Sequence, residues 1–259
     1  MLAPFALVVV AATVLASSFV SGLFGMAGGM ILLGVLLVFM DVAPAMVLFG
    51  IIQMVSNGWR ATLWFRYVDW SIVWRFLVGS TLIFLLLRSI ALMPSKATLY
   101  FTLGLLPFAA DLVPKRVSLD ITRPGVPYVA GALIIVLQLM AGAAGHILDV
   151  FFQKSRLDRK TIVATKAVTQ VMGHVYRIIY FGSFGATFDT SIPWWVYLAA
   201  VALTLAGTSL AASVLTRMTD DGFRTWSRRV TLGVSVTYIA RGLWPVSYTH
   251  LTLPTIYSV

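Results

Sequence analysis

The sequence predicts an all-α membrane protein, a polytopic transmembrane helix bundle of about eight spans built from two homologous halves. Three observations predict it. First, hydrophobicity comes in long runs. Of 259 residues, 59% are hydrophobic and 11% charged, mean hydropathy is +0.93, and no charged side chain occurs between Met1 and Met40. A soluble domain needs more charge to cover its surface, whereas a helix needs roughly 20 apolar residues to cross ~30 Å of hydrocarbon. Second, the basic residues behind the net charge of +10 fall mostly in short segments between those runs. That is the distribution the positive-inside rule describes, and it points to a bilayer and away from nucleic acid. Third, the chain repeats itself.

The elements follow in order. Residues 4–24 form an uncharged run with no basic n-region before it, too long for a signal-peptide core, so a span is expected. Gly25, Gly28 and Gly29 then interrupt the pattern. Residues 30–40 are apolar but too short to cross alone, as expected of a half-helix or re-entrant piece, which needs protein or a cavity around its backbone. Spans of crossing length follow at 43–60, 72–93 and 97–113. Pro114, Pro124, Gly125 and Pro127 make residues 115–127 the most loop-like interior stretch, a connector between a first membrane repeat (1–114) and a second (128–246). The second repeat holds spans at 128–148, 161–181, 193–216 and 230–246. The Thr-rich tail, 247–259, departs in composition and is expected to be disordered or foreign to the natural protein, so His250 is set aside.

In this eight-span scheme the loops around 88–96, 154–160 and 217–229 share one side. They hold more Lys and Arg than the other side, which carries Arg66, Lys115, Arg116, Arg123 and Arg241. The more basic side is expected in the cytoplasm, with both termini outside.

Sliding the chain on itself by 117 positions aligns Gly25 with Gly142, Ala27 with Ala144, Gly28 with Gly145, Asp41 with Asp158, Gln53 with Gln170 and Arg60 with Arg177. Gly, Asp, Gln and Arg are not residues that apolar helices share by default. Two homologous halves meeting at a central site is a frequent transporter plan. Four spans per half imply parallel repeats and an odd number inverted ones; the span count leaves both open.

The strongest chemical signal is in the sixth span. Lys166, Gln170, His174 and Arg177 are spaced by four, four and three residues, which places them on one helical face. A Lys or Arg at mid-bilayer costs ~2.5–3.5 kcal/mol, so the face is expected to turn inward to a common cavity. Gln53, Asn57 and Arg60 repeat the device in the second span, with Phe49 in the place of Lys166. Plainer readings stand beside this one. Arg60, Arg177 and Lys166 could snorkel to the interface, and the glutamines could be interhelical glue. The glycines pack helices closely or break them at Gly28–Met30 and at 145–147, exposing N–H groups of Gly28, Gly29 and Gly145 to an anion. Both signals suit a small anionic substrate with several oxygen acceptors.

His146 and Asp149 lie three residues apart and, with His174, supply the competing class, a membrane-embedded enzyme; a channel for anions is a further alternative. Paired catalytic carboxylates, a serine elbow and an H-E-x-x-H helix are all missing from the sequence. Neither a metal nor a cofactor is expected, and with no cysteine, disulfides and thiolate chemistry are excluded.

Several of these segments carry a family resemblance: SGLFGMAGGM at 21–30, 43–67 and 68–79 in the first half, then LMAGAAGHILDVFF at 139–152 and VATKAVTQVMGHVYRIIYFG at 163–182. Through them the chain resembles the TauE/SafE family of membrane transporters, also described as sulfite exporters, from the first span to about residue 246. The resemblance implies a duplicated bundle of seven to nine helices in the cell inner (plasma) membrane, moving sulfite, sulfonates or related anions. Ala27, Ala144 and His146 depart from the denser glycine pattern of that family and put the exact substrate in doubt.

Overall fold

The structure, a computed structural model, describes residues 4–24, 27–111, 119–153, 155–183, 194–215 and 220–249. Among these residues there are ten α-helices, one short 3-10 turn at Phe65–Tyr67 and no strand. The helices are α1 (Pro4–Phe24), α2 (Ala27–Phe39), α3 (Val42–Leu63), α4 (Trp70–Ile90), α5 (Lys96–Asp111), α6 (Val126–Met140), α7 (Gly145–Gln153), α8 (Arg159–Gly182), α9 (Trp194–Leu215) and α10 (Asp220–Thr249). The fold class read from sequence is therefore correct. Three helices are long and apolar enough to cross a membrane: α3, α4 and residues 194–211 of α9. Apolar stretches in α1, α2 and α6 are shorter. The polar stripe keeps α8 off that list, so the count of eight is not reproduced by length and hydropathy.

Local chemistry sets the helix ends. Asp41 and Asp158, aligned by the repeat, stand at the N-caps of α3 and α8. Asp158 accepts from the main-chain N–H of Lys160 (2.9 Å) and Thr161 (3.1 Å), satisfying donors that a helix start leaves open. Asp41 instead lies 3.6 Å from Lys96. Asp69 caps α4 through the N–H of Ile72. The break expected at 145–147 falls earlier: α6 ends at Met140, residues 141–144 are non-helical, and α7 runs unbroken from Gly145. Gly142, at φ +80°, terminates α6 in the left-handed conformation that glycine adopts without a Cβ penalty. Gly28–Met30 likewise lie inside α2; Gly25, the matching glycine of the first half, lies outside the described residues.

The packing has a regular plan. α3 lies against α8, and α5 against α10. α1 packs on α9 as α6 packs on α4, α3 on α9 as α8 on α4, and α2 on α10 as α7 on α5. α3 and α8 run antiparallel: Gly50 meets Arg177 and Ile178, while Ala61 shares a cluster with Ala164, Ala167 and Val168. The α4–α6 contact is backbone to backbone. A Cβ at Gly79 would lie 2.0 Å from the Tyr128 oxygen, and one at Gly131 would lie 2.1 Å from the Phe76 oxygen. The main core gathers α2 and α3 with parts of α1, α5, α8 and α9 around Leu33, Leu36, Met46, Phe49 and Tyr180.

Contacts also group the loops by end. At one end Asp41 meets Lys96, and the Tyr180 hydroxyl donates to the Leu92 oxygen (2.6 Å). At the other, the Asp69 N–H donates to Thr165 Oγ1 (3.0 Å), Lys160 lies over the rings of Trp64 and Tyr67, and the Ile121 N–H donates to the Phe151 oxygen (3.0 Å). This regroups the loops of the eight-span scheme, because α2 and α7 each add a pass. Residues 88–96 part company with 154–160, and the loops around Arg66 and Arg123 join the latter.

Candidate functional site

The candidate site lies along the antiparallel α3–α8 pair, where the two polar stripes face inward. Arg177 is fully buried. Its Nη2 donates to the main-chain oxygens of Gln138 (2.7 Å) and Gly142 (2.5 Å), carbonyls that the end of α6 leaves without helical partners. Its Nη1 lies 2.9 Å from His174 Nδ1. A guanidinium has only donors, so Nδ1 is the acceptor and the proton of the buried His174 ring sits on Nε2. The guanidinium also lies 4.8 Å from the centre of the Phe49 ring, within cation–π range, and Phe49 meets His174 edge-on at 6.0 Å. Snorkelling does not describe Arg177, which points into the protein and holds the broken α6.

The first-half stripe is chained along its own helix. Arg60 Nη2 donates to Asn57 Oδ1 (2.6 Å), and Asn57 Nδ2 donates to the Gln53 main-chain oxygen (2.8 Å). Asn57 is buried, and Gln53 is 9% exposed. The Gln53 amide abuts the first turn of α2: a Cβ at Gly29 would lie 2.6 Å from Gln53 Nε2. Gly28 serves a different purpose, since a Cβ there would strike the main chain of Ser17 and Ser21 in α1. Gly145 is the first residue of α7. Gln53 and Gln170 both fall between the Gly50–Ile178 and Ala61–Ala167 levels of the helix pair.

Lys166 does not stand free on its stripe. Its Nζ is hydrogen-bonded and ion-paired to Asp149 of α7, the two side chains being 21% and 35% exposed. The expectation of one cavity shared by Lys166, Gln170, His174 and Arg177 therefore needs correction. All four turn toward the protein, but His174 and Arg177 are sealed against Phe49 and α6 while Lys166 and Gln170 are only half-buried. A cavity of about 290 Å³ lies elsewhere, between α2, α5 and α10. The three residues of the enzyme alternative do not converge: Asp149 engages Lys166, His174 engages Arg177, and among the described residues no three His, Asp or Glu side chains gather as a metal site would require.

Gln138 escaped the sequence reading. It is buried in α6, its side chain fills the space over Gly173, and its main-chain oxygen receives Arg177. The signal was a lone amide in the otherwise apolar run VPYVAGALIIVLQLM. The Asp149–Lys166 pair had a similar one, two opposite charges in adjacent membrane segments.

A family model described as sulfite exporter TauE/SafE matches residues 9–238, most of the chain and all of the site. The chain belongs to the sulfite exporter TauE/SafE family. No curated protein and no solved structure matches it. As a member of this family it is a membrane transporter.

Proposed function

We propose that this TauE/SafE transporter carries sulfite or small sulfonates out of the cell across the inner (plasma) membrane, along the α3–α8 interface. One observation carries the reading. Arg60, Lys166 and Arg177 lie along this pair, and among the described residues only Lys166 of the three has an ion-pair partner, Asp149, which leaves an excess of positive charge that an anion would neutralise. Two glutamine amides at the middle of the pair supply donors for the anion's oxygens, and the cations strengthen those hydrogen bonds where they reach the same anion. In this reading Gln53, Arg60, Lys166 and Gln170 contact the substrate, Gly29 and Gly145 offer helix starts, Gly28 lets α2 close on α1, and Asn57, His174 and Arg177 fix the geometry. An inside-negative potential drives a monoanion outward by ~2.3 kcal/mol per 100 mV, so export needs no coupling ion.

The packing plan supports a division into α1–α5 and α6–α10, residues 1–114 and 128–246 joined by 115–127. The antiparallel α3–α8 contact favours inverted repeats, the alternative that an even span count disfavoured.

The test is sulfite efflux from liposomes holding purified protein. Lys166→Met is expected to weaken anion binding about tenfold or more, because a hydrogen bond to a charged group is worth ~1.5–3 kcal/mol. Gln53→Leu and Gln170→Leu should each weaken it less, and Lys166→Arg should restore it only in part. Unchanged transport in folded Lys166→Met would move the anion site to the helix starts at Ala27 and Gly145.

A further inference from the structure

The ion pair between Lys166 and Asp149 is unevenly buried. The lysine side chain is 21% exposed and the carboxylate 35%. Separating the two therefore returns Asp149 toward water more readily than it returns Lys166. A Lys166 left alone would be a partly buried cation, which an anion in the place of Asp149 compensates best. Lys166 lies in the 24-residue α8 and Asp149 in the nine-residue α7, whose Leu148, Phe151 and Phe152 are buried in the core, so the carboxylate can leave by its own side-chain rotation while both helices stay in place.

We propose that Asp149 sets the affinity threshold of the anion site, as a tethered carboxylate that occupies Lys166 until a transported anion displaces it. This inference rests on the proposed anion site at α3–α8. A carboxylate held on the same protein acts at an effective concentration in the ~mM range, so a ligand must outcompete it. Anions with one weak contact fail. An oxyanion that bonds Lys166 with one oxygen and a glutamine amide with another succeeds, because it gains a contact that Asp149 does not make.

The test compares wild type with Asp149→Asn and Asp149→Glu, each purified, monodisperse and of measured thermal stability. Binding of sulfite and of formate is followed by calorimetry. Asp149→Asn removes the competitor. It is expected to tighten sulfite and formate binding by the same factor, about tenfold, because the tethered carboxylate lowers the population of free Lys166 for every anion alike, while Asp149→Glu keeps the wild-type affinities. A purely structural pair predicts the opposite sign, a loss of stability with weaker binding in Asp149→Asn. Binding by wild type that Asp149→Asn leaves unchanged or weakens overturns the role given to Asp149 and leaves the anion site standing. Absence of sulfite and formate binding in both wild type and Asp149→Asn overturns the anion site itself, and this role with it.

Discussion

Arg177 donates to the Gln138 main-chain oxygen across 2.7 Å and to that of Gly142 just beyond it across 2.5 Å, so an arginine in the last third of α8 finishes the hydrogen bonding of α6, a helix that stops inside the bundle. The guanidinium fork is what allows it: one nitrogen serves Gln138 and Gly142 while the other faces His174. A lysine has the charge without the fork. Arg177→Lys should therefore lower thermal stability and Arg177→Gln should lower it further, by about 1.5–3 kcal/mol for each charge-assisted bond lost. Thermal unfolding in detergent measures this. Wild-type stability in Arg177→Gln would show that the α6 end is held by something else.

Gly79 and Gly131 let α4 and α6 touch through their backbones. Gly79→Ala and Gly131→Ala each force a methyl group against a carbonyl oxygen and should destabilise the protein by about 1–3 kcal/mol, the usual cost of overpacking. Gly58→Ala serves as the control, since a Cβ at Gly58 would meet nothing within 4 Å. Equal melting temperatures for all three would contradict the close α4–α6 approach.

The grouping of loops by end carries a prediction about sidedness. Among the described residues, Arg66, Arg75, Arg123, Arg156, Arg159, Lys160, Arg224, Arg228 and Arg229 belong by chain position to one end, and Arg88, Lys96 and Arg241 to the other. The first end should face the cytoplasm. The chain has no cysteine, so single cysteines report cleanly. Met93→Cys should react with a membrane-impermeant maleimide in intact cells, and Arg156→Cys only after permeabilisation. The reverse pattern would invert the orientation.

Asp158 offers a pH test outside the membrane. Hydrogen bonds from the Thr161 hydroxyl, then from main-chain N–H groups, hold its carboxyl below the ordinary 3.8. A carboxyl depressed on folding stabilises the protein above its unfolded pKa and loses that contribution as pH falls through the folded value. The melting-temperature gap between wild type and Asp158→Ala should accordingly be full at neutral pH and close below about pH 4. A gap that is constant down to pH 3 would mean that the cap works without its charge.

Much of this was legible in the chain. Seven of the eight predicted spans have a helix at their place, 128–148 is divided between α6 and α7 by the non-helical 141–144, and the short apolar piece at 30–40 is α2, because hydropathy and glycine placement are local properties. The offset of 117 found Asp41 and Asp158, which prove to be paired N-cap positions, and it found Arg60 and Arg177 without showing that they are held differently. That difference depends on what each guanidinium meets: Asn57 of its own helix for Arg60, but the end of α6 for Arg177. The Lys166–Asp149 pair left only the hint of two opposite charges in adjacent segments, since only packing brings α7 to α8. The break after α6 was placed at Gly145 because two glycines compete there, and only the backbone angle of Gly142 decides between them.

Phe49 and Lys166 occupy matching places in the repeat, and the antiparallel packing of α3 and α8 sends them toward opposite ends of the interface. One end of the interface therefore carries a lysine paired with a carboxylate, and the other an arginine covered by an aromatic ring. Identical stripes would be charged alike at both ends; the exchange of phenylalanine for lysine leaves this interface charged unevenly along its length.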